Sequence, residues 1–597
     1  MCNTSKMYFT SLPNAIILNL FEYFSLIELF QYFSGINSRL NKLLYQEFQK
    51  FHLDLRSLSK RKVNEIYENY IPSIINQIIS IHLSNDYETP QQIQSFMSHG
   101  DYKLHQFLHL QSISISNLQC KQTLDKIITD CSNLPYLTHL TLTACTIEMS
   151  ESDKQHFFNQ IWSLSKLKYC HTNIDSHTKS YSSSSPVISK SLKYLIISNN
   201  IFSLSRFADL YRHTPNLRHL STWFVVEYNE IQILNPMYSI TRLNITFHGL
   251  GNMLEHLLQN LPNLYQLKCD LNVYINGNEW EDIIKKSLPK LKMFQVKMRY
   301  TPSNNENKEN QLNEIVDSYR TNFWINEHQW FIRCHWYTID QKEQFNFIDV
   351  FTVPYAFDSF WEDNICLLAK STALYDKNYL QCPCVKTLNY GSSSFTDPIR
   401  SRLRFNNLQH LSVSLPFNER FFFIVSKFDR LRSLFVYTEE NKNLNNIQFQ
   451  LQLILDQAPR LYSLEFSTWA RSDSEAPLTG LRSDSVRRLD VIRFYFNGQI
   501  YHFDEKECIQ LSRSPLGIQC EVLLITVKNR KNILHLINNM KNLRSLFVHS
   551  IDHYWPENGS VSSAMDGLVQ WLYEQLPSTS TVTKSQTDSF GIHIWIR

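Results

Sequence analysis

The nearest approach to a reactive cluster is His328, Cys334 and His335, which lie close together in the middle of the chain. These residue types could ligate a metal or form a Cys–His nucleophile pair. Closeness within a predicted strand is weak support for either. Cys382-Pro-Cys384 is a single C-x-C step with no second pair, a poor zinc site. The 21 histidines are scattered, and 12 glycines leave no Gly-rich loop to cradle a phosphate. H-E-x-x-H and G-x-S-x-G are both absent. With no nucleophile, base and oxyanion site in view, the expectation is a protein that is not an enzyme and needs no cofactor or metal. A hidden site in the aromatic middle segment is the weakest of three readings.

The elements that would position any function begin at residues 12 to 44. Pro13 suits the start of a helix because its φ is fixed. Ile16, Leu20 and Phe24 follow at i, i+4 and i+8, one face of that helix. Ser25 and Glu28 have capping-box spacing and open a second helix with Leu29 and Phe33. Asn37 caps a third with Leu40, Leu43 and Leu44. Phe21, Tyr23, Phe30 and Tyr32 add apolar area on other faces. So short a unit buries too little surface to stand alone, so its surplus faces need a partner.

This stretch resembles the F-box over residues 9–48. Leu12-Pro13, the Ile16-to-Phe24 helix, the Ser25-x-x-Glu28-Leu29 step and Asn37-x-Arg39 match in order and spacing. Leu26-Ile27 and Glu28 depart from the commoner residues without removing a core position. The resemblance implies docking onto a Skp-type adaptor of a cullin ubiquitin ligase. Leu12, Pro13, Ile16, Leu20, Phe24 and Leu29 would then form the motif's core and adaptor-facing surface. The other reading is an ordinary N-terminal helical cap.

Composition bounds the rest. Of 597 residues, 43% are hydrophobic and 13% aromatic, the profile of a chain folded throughout. A formal net charge of +3 gives no electrostatic footprint for nucleic acid. No apolar h-region opens the chain, and no apolar run approaches ~18 residues. The expectation is therefore a cytoplasmic or nuclear protein with no membrane partner, its 12 cysteines free thiols.

Beyond the first 50 residues the chain repeats Leu-x-x-Leu-x-Leu, often after Pro. The middle position recurs at Ile81, Ile113, Leu140, Cys170, Leu195, Leu220, Leu243, Leu267 and Phe294. It resumes at Leu388, Leu411, Leu434, Leu464, Leu489, Leu523 and Leu546, and Leu53 heads an irregular first unit. Most spacings run from 23 (220 to 243) to 34 (489 to 523). Asn200, Cys145 and Asn272 take the ninth position, where a polar side chain can satisfy a turning backbone. Amphipathic stripes such as Met253, Leu254, Leu257, Leu258 and Leu261 lie between these units. Pro215, Pro262, Pro289 and Pro459 end the helices.

The pattern resembles the leucine-rich repeat. The expected fold class is α/β: a three-helix F-box followed by a leucine-rich-repeat solenoid, with a parallel sheet inside, helices outside and an irregular middle segment. The expected domains are 9–48, a first array over 51–300, an aromatic-rich segment over 301–380, and a second array with a C-terminal cap over 381–597. In the gap from Phe294 to Leu388, Thr301–Asn310 reads as a loop and Trp324–Tyr337 as a strand pair. The segment is either degenerate repeats carrying a β-rich excursion, the favoured reading, or an insertion. Lys179–Pro186 reads as a serine loop, and Ser578–Ser589 as a polar linker before a last strand.

Two surfaces on one chain suggest a substrate receptor that binds a Skp–cullin complex through the F-box and a protein substrate through the concave sheet. The alternative is a stand-alone scaffold. Small hydroxylic residues dominate the early outward positions, and large aromatics, favoured at interaction hot spots, the later ones. The substrate is expected on Phe435, Tyr437, Glu465, Phe547 and His549, with Trp223, Lys268 and Asp270 as an earlier patch.

Overall fold

The computed structural model describes residues 12–98, 103–175, 187–202, 204–225, 235–302, 307–338, 346–362, 365–373, 381–391, 403–417, 421–438, 444–467, 478, 480–492, 495–496, 499–550, 561–585, 588 and 590–596. The chain forms two compact units, Met1–Ile201 with Arg206–Ser221, and Phe202–Ser205 with Thr222–Arg597. The serine loop Lys179–Pro186 lies outside the described residues.

The first unit opens with three short helices, Asn14–Phe21, Leu26–Phe33 and Ser38–Lys42. Their starts follow the local chemistry. Pro13 precedes the first, Ser25 and Glu28 close a reciprocal capping box on the second, and Asn37 Oδ1 accepts the Leu40 amide at 2.8 Å. The buried face of the first helix is Ile17 and Phe21. Phe21 packs 5.1 Å from Phe33 and 5.7 Å from Phe48. Each such buried side chain contributes about 1.5–3 kcal/mol relative to an exposed one.

Parallel strands follow in chain order: Phe51–Asp54, Ile78–Ser84, Ser112–Ser116, His139–Thr146, Tyr169–Asp175 and Tyr194–Phe202. Leu53, Ile81, Ile113, Leu140, Cys170 and Leu195 stand in one register across them, all buried. Helices Lys121–Cys131 and Glu151–Ser163 connect the later strands and bury Leu124, Ile127, Ile128, Phe157, Phe158 and Ile161. This is a repeat solenoid with a sheet on one side and helices on the other.

The second unit repeats the scheme. Strands Arg242–His248, Gln266–Leu271 and Met293–Tyr300 are parallel, with Leu243, Leu267 and Phe294 in register. Asn272 Oδ1 accepts the Gly249 amide of the preceding repeat at 3.2 Å, as the ninth position requires. The array then changes direction. Asn346–Val353 pairs antiparallel with Met293–Tyr300, Phe331–Thr338 antiparallel with it, and Ile365–Ser371 antiparallel with Phe331–Thr338. Gly277 marks where this excursion docks: its amide donates to Ser318 Oγ at 2.9 Å, and a Cβ there would run into the Ser318 carbonyl.

A second parallel sheet starts at Ser359–Glu362 and runs through Thr387–Tyr390, His410–Leu415, Ser433–Thr438, Ser463–Phe466, Arg488–Asp490, Val522–Val527 and Ser545–Ser550. Phe360, Leu388, Leu411, Leu434, Leu464, Leu489, Leu523 and Leu546 form its buried row. Two antiparallel strands, Ile592–Trp595 and Thr581–Lys584, close its last edge. They pair the backbone of Ser545–Ser550 and move the sheet edge to the short strand Thr581–Lys584.

Three local expectations are corrected. Trp324–Tyr337 is not a strand pair: Phe323–Glu327 is a helical turn, and only Phe331–Thr338 is a strand. Thr301–Asn310 is not all loop, because Asn307 caps a helix starting at Lys308. The linker Ser578–Ser589 contains the strand Thr581–Lys584. The middle segment combines an antiparallel excursion with one degenerate repeat, in which Phe360 takes the leucine position.

Candidate protein-interaction surfaces

The N-terminal helices present an apolar strip to the outside. Burial of Ile17 and Phe21 turns Ile16 and Phe24 outward, at 45% and 37% exposure, beside exposed Pro13 and Tyr23. Leu12 and Leu20 are half-buried. Leu29 is the correction in this set: it is 1% exposed and packs inside the bundle, so it cannot meet a partner directly. Arg39 braces the strip from behind, donating to the Leu12 carbonyl and to Asn14 Oδ1. An exposed apolar strip of this kind is a surface that partners desolvate.

The strand face opposite the helices in the second sheet carries a second surface. Trp361, Asn389, Ser412, Phe435, Glu465 and Asp490 stand in one register row across successive strands. The small Asn389 and Ser412 lie between two large aromatics. The result is a groove of about 410 Å³ with Trp361 on one side, Phe435 and Tyr437 on the other, and His410 in its lining. Tyr437 donates to the Tyr390 carbonyl at 3.2 Å and stands 6.4 Å from Phe435. Burial, then the neighbouring Arg432, holds His410 below its usual pKa. Trp361 stands outside the set of expected substrate residues. Its signal is present nonetheless, because it is the outward neighbour of Phe360 in the same alternation.

The other expected substrate residues fare unequally. Trp223 is 38% exposed and lies 5.5 Å from His248. Lys268 is engaged internally: it donates to the Ala356 carbonyl at 2.9 Å and sits 4.9 Å from the Phe357 ring. Asp270 pairs with Lys297 at 3.2 Å. Glu465 is half-buried in the groove's row. Phe547 and His549 are corrected outright. Phe547 is 1% exposed, packed on His593 at 4.5 Å and against Gly591. His549 is 8% exposed, with Nε2 2.8 Å from Asp588 Oδ2. The C-terminal antiparallel strands and their turn cover both.

The Cys–His cluster is structural. Burial pushes the Cys334 thiol up to about 12, so no thiolate forms near neutral pH. His335 is fully buried, accepting from Arg333 Nε at 2.7 Å and lying 2.9 Å from the Tyr337 hydroxyl. His328 stacks on Trp330 at 4.1 Å. Among the described residues no three His, Cys, Asp or Glu side chains group to hold a metal, and no helix is long and apolar enough to cross a membrane.

No protein-family model matches the chain, and no curated protein matches it. Among the solved structures to which the chain is similar are the following two. One is the crystal structure of an internalin (inlF) from Listeria monocytogenes, at 10% identity and a TM-score of 0.26, covering 72% of this chain and 98% of that one. The other is the Rad7 and Elc1 complex in yeast, at 11% identity and a TM-score of 0.23, covering 80% and 89%. At these values neither likeness bears on function.

Proposed function

We propose that this chain is a non-catalytic substrate receptor of a Skp–cullin–F-box ubiquitin ligase, acting in the cytoplasm or nucleus. Residues 9–48 serve as the F-box and dock the adaptor through Pro13, Ile16, Phe24 and the flanks of Leu12 and Leu20. The arrays over 51–300 and 381–597, with the segment 301–380 between them, hold the substrate. The protein does no chemistry itself. It raises the effective concentration of its substrate near a ubiquitin-loaded enzyme carried elsewhere in the complex.

The observation that carries this reading is the outward apolar strip on a three-helix unit, its second and third helices capped, whose order of motifs resembles the F-box. One observation favours the second reading, a stand-alone scaffold whose helices only cap the array. Phe30 stacks on Tyr70 at 4.4 Å and lies 5.8 Å from Phe51, so the helices also seal the first strand. Purification of the full-length chain with a Skp-type adaptor and a cullin separates the two. Co-purification supports the receptor, and its absence leaves the scaffold.

A further inference from the structure

On the strand face of the second unit, facing charges pair with one another, as Asp270 does with Lys297 and Arg299 with Asp349. In the first unit, Lys168, Lys193 and Arg218 occupy the same step of three successive repeats. The Lys193 amide donates to the Lys168 carbonyl at 2.9 Å, and the Arg218 amide to the Lys193 carbonyl at 2.8 Å. Adjacent strands lie about 4.8 Å apart, so three cationic side chains leave one edge at that spacing. Exposed Lys190 lies three residues before Lys193, whereas Lys166 sits over the Tyr136 ring at 4.9 Å. Neither Lys168 nor Lys193 forms an ion pair among the described residues.

Beside this edge runs an aromatic row. His139, Tyr169 and Tyr194 are register partners. His139 stacks on Tyr169 at 5.6 Å, and Tyr194 lies 6.0 Å from His219. Tyr194 is 40% exposed. The next row inward on the same three strands is Thr141, His171 and Ile196. Neither row contains a carboxylate. Like charges held this close repel each other, and an anion laid along them relieves that repulsion.

We propose that this edge and row dock an Asp/Glu-rich segment of a partner protein, its carboxylates meeting Lys168 and Lys193 and its backbone lying over Tyr169 and Tyr194. Lys168 and Lys193 are point charges spread along a line. That suits distributed carboxylates better than a single phosphate, which favours a fork of arginines. A nucleic acid would want a wider basic field than a chain of net charge +3 offers. The proposal rests on the receptor reading only in taking the partner to be cargo.

The test is fluorescence anisotropy with the full chain and a labelled glutamate-rich peptide. The comparison probes are the same peptide with Gln for Glu, a singly phosphorylated neutral peptide, and a thymidine oligonucleotide. The glutamate peptide should bind, weaken as salt rises, and lose about tenfold in affinity in Lys168→Glu/Lys193→Glu. Tyr194→Ala should weaken it as well. Lys168 is exposed and Lys193 half-buried, both outside the core, so the double variant should fold and still capture the adaptor. Equal binding to the double variant overturns the proposal, as does tighter binding of the phosphopeptide or oligonucleotide. Loss of adaptor capture by wild type, with peptide binding intact, would instead sink the ligase reading alone.

Discussion

Arg39 in the third helix reaches back to the start of the first, donating from one Nη to the Leu12 carbonyl at 2.5 Å and to Asn14 Oδ1 at 2.6 Å. The residues that begin the apolar strip are therefore fixed by a side chain 27 positions away. Arg39→Ala should release them. A loss of about 1 kcal/mol in stability is expected, with a larger loss in adaptor affinity. Calorimetric binding beside thermal unfolding reads the two apart, and equal effects on both would refute the bracing role.

Phe21 and Ile16 lie on opposite sides of one short helix and should behave oppositely. Phe21→Ala removes a fully buried ring from between Phe33 and Phe48 and should cost about 3–5 kcal/mol, melting the helical unit. Ile16→Ala should leave unfolding unchanged and weaken adaptor binding. Circular dichroism melts with a binding assay decide this, and a destabilising Ile16→Ala would show that its face is already covered.

Much of the array is legible in the sequence because its signal is local. Leucines such as Leu140, Leu195, Leu411 and Leu434 follow a helix with two-residue alternation, and the structure places them in shared buried rows. What escapes is set by distant chain. Phe547 and His549 read as open-face residues until strands some 40 residues later fold over them. The first helix is apolar on most sides, so Ile16, Leu20 and Phe24 look as good a core stripe as Ile17 and Phe21. The antiparallel excursion carries no repeat signature, since its strands lack the Leu-x-x-Leu-x-Leu spacing and pair antiparallel rather than in the parallel register of the repeats.

The groove between Trp361 and Phe435 is expected to carry cargo contacts. Trp361→Ala and Phe435→Ala should each reduce capture of partners whose levels rise when the proteasome is blocked, by about 2 kcal/mol if either is an anchor. Proximity labelling with and without proteasome inhibition measures it. Unchanged partner sets in both variants, with loss in variants of the outer helices, would move the cargo site off the strand face.

Acid should loosen the C-terminal closure. Burial holds the His593 imidazole down to about 4, with Asp588 opposing weakly. A free histidine titrates near ~6.5, so the unfolded chain takes up a proton before the folded one does. Stability is therefore level above about pH 7 and falls as pH drops toward about 4, with about 1 kcal/mol lost by about pH 5.5. Other histidines held low by burial, such as His171 and His410, supply a common background. His593→Gln should give a shallower fall in Tm with acid than wild type. Parallel curves would rule His593 out as a contributor.

The receptor account stands or falls on one binding experiment. Purified full-length chain, titrated with a recombinant Skp-type adaptor in a calorimeter, should give a saturable complex. Leu12→Ala/Pro13→Ala should weaken that complex by at least ~2 kcal/mol while the repeat arrays stay folded. No heat of binding with wild type, or the same affinity in the double variant, would contradict the account and leave a repeat scaffold whose N-terminal helices only close its end.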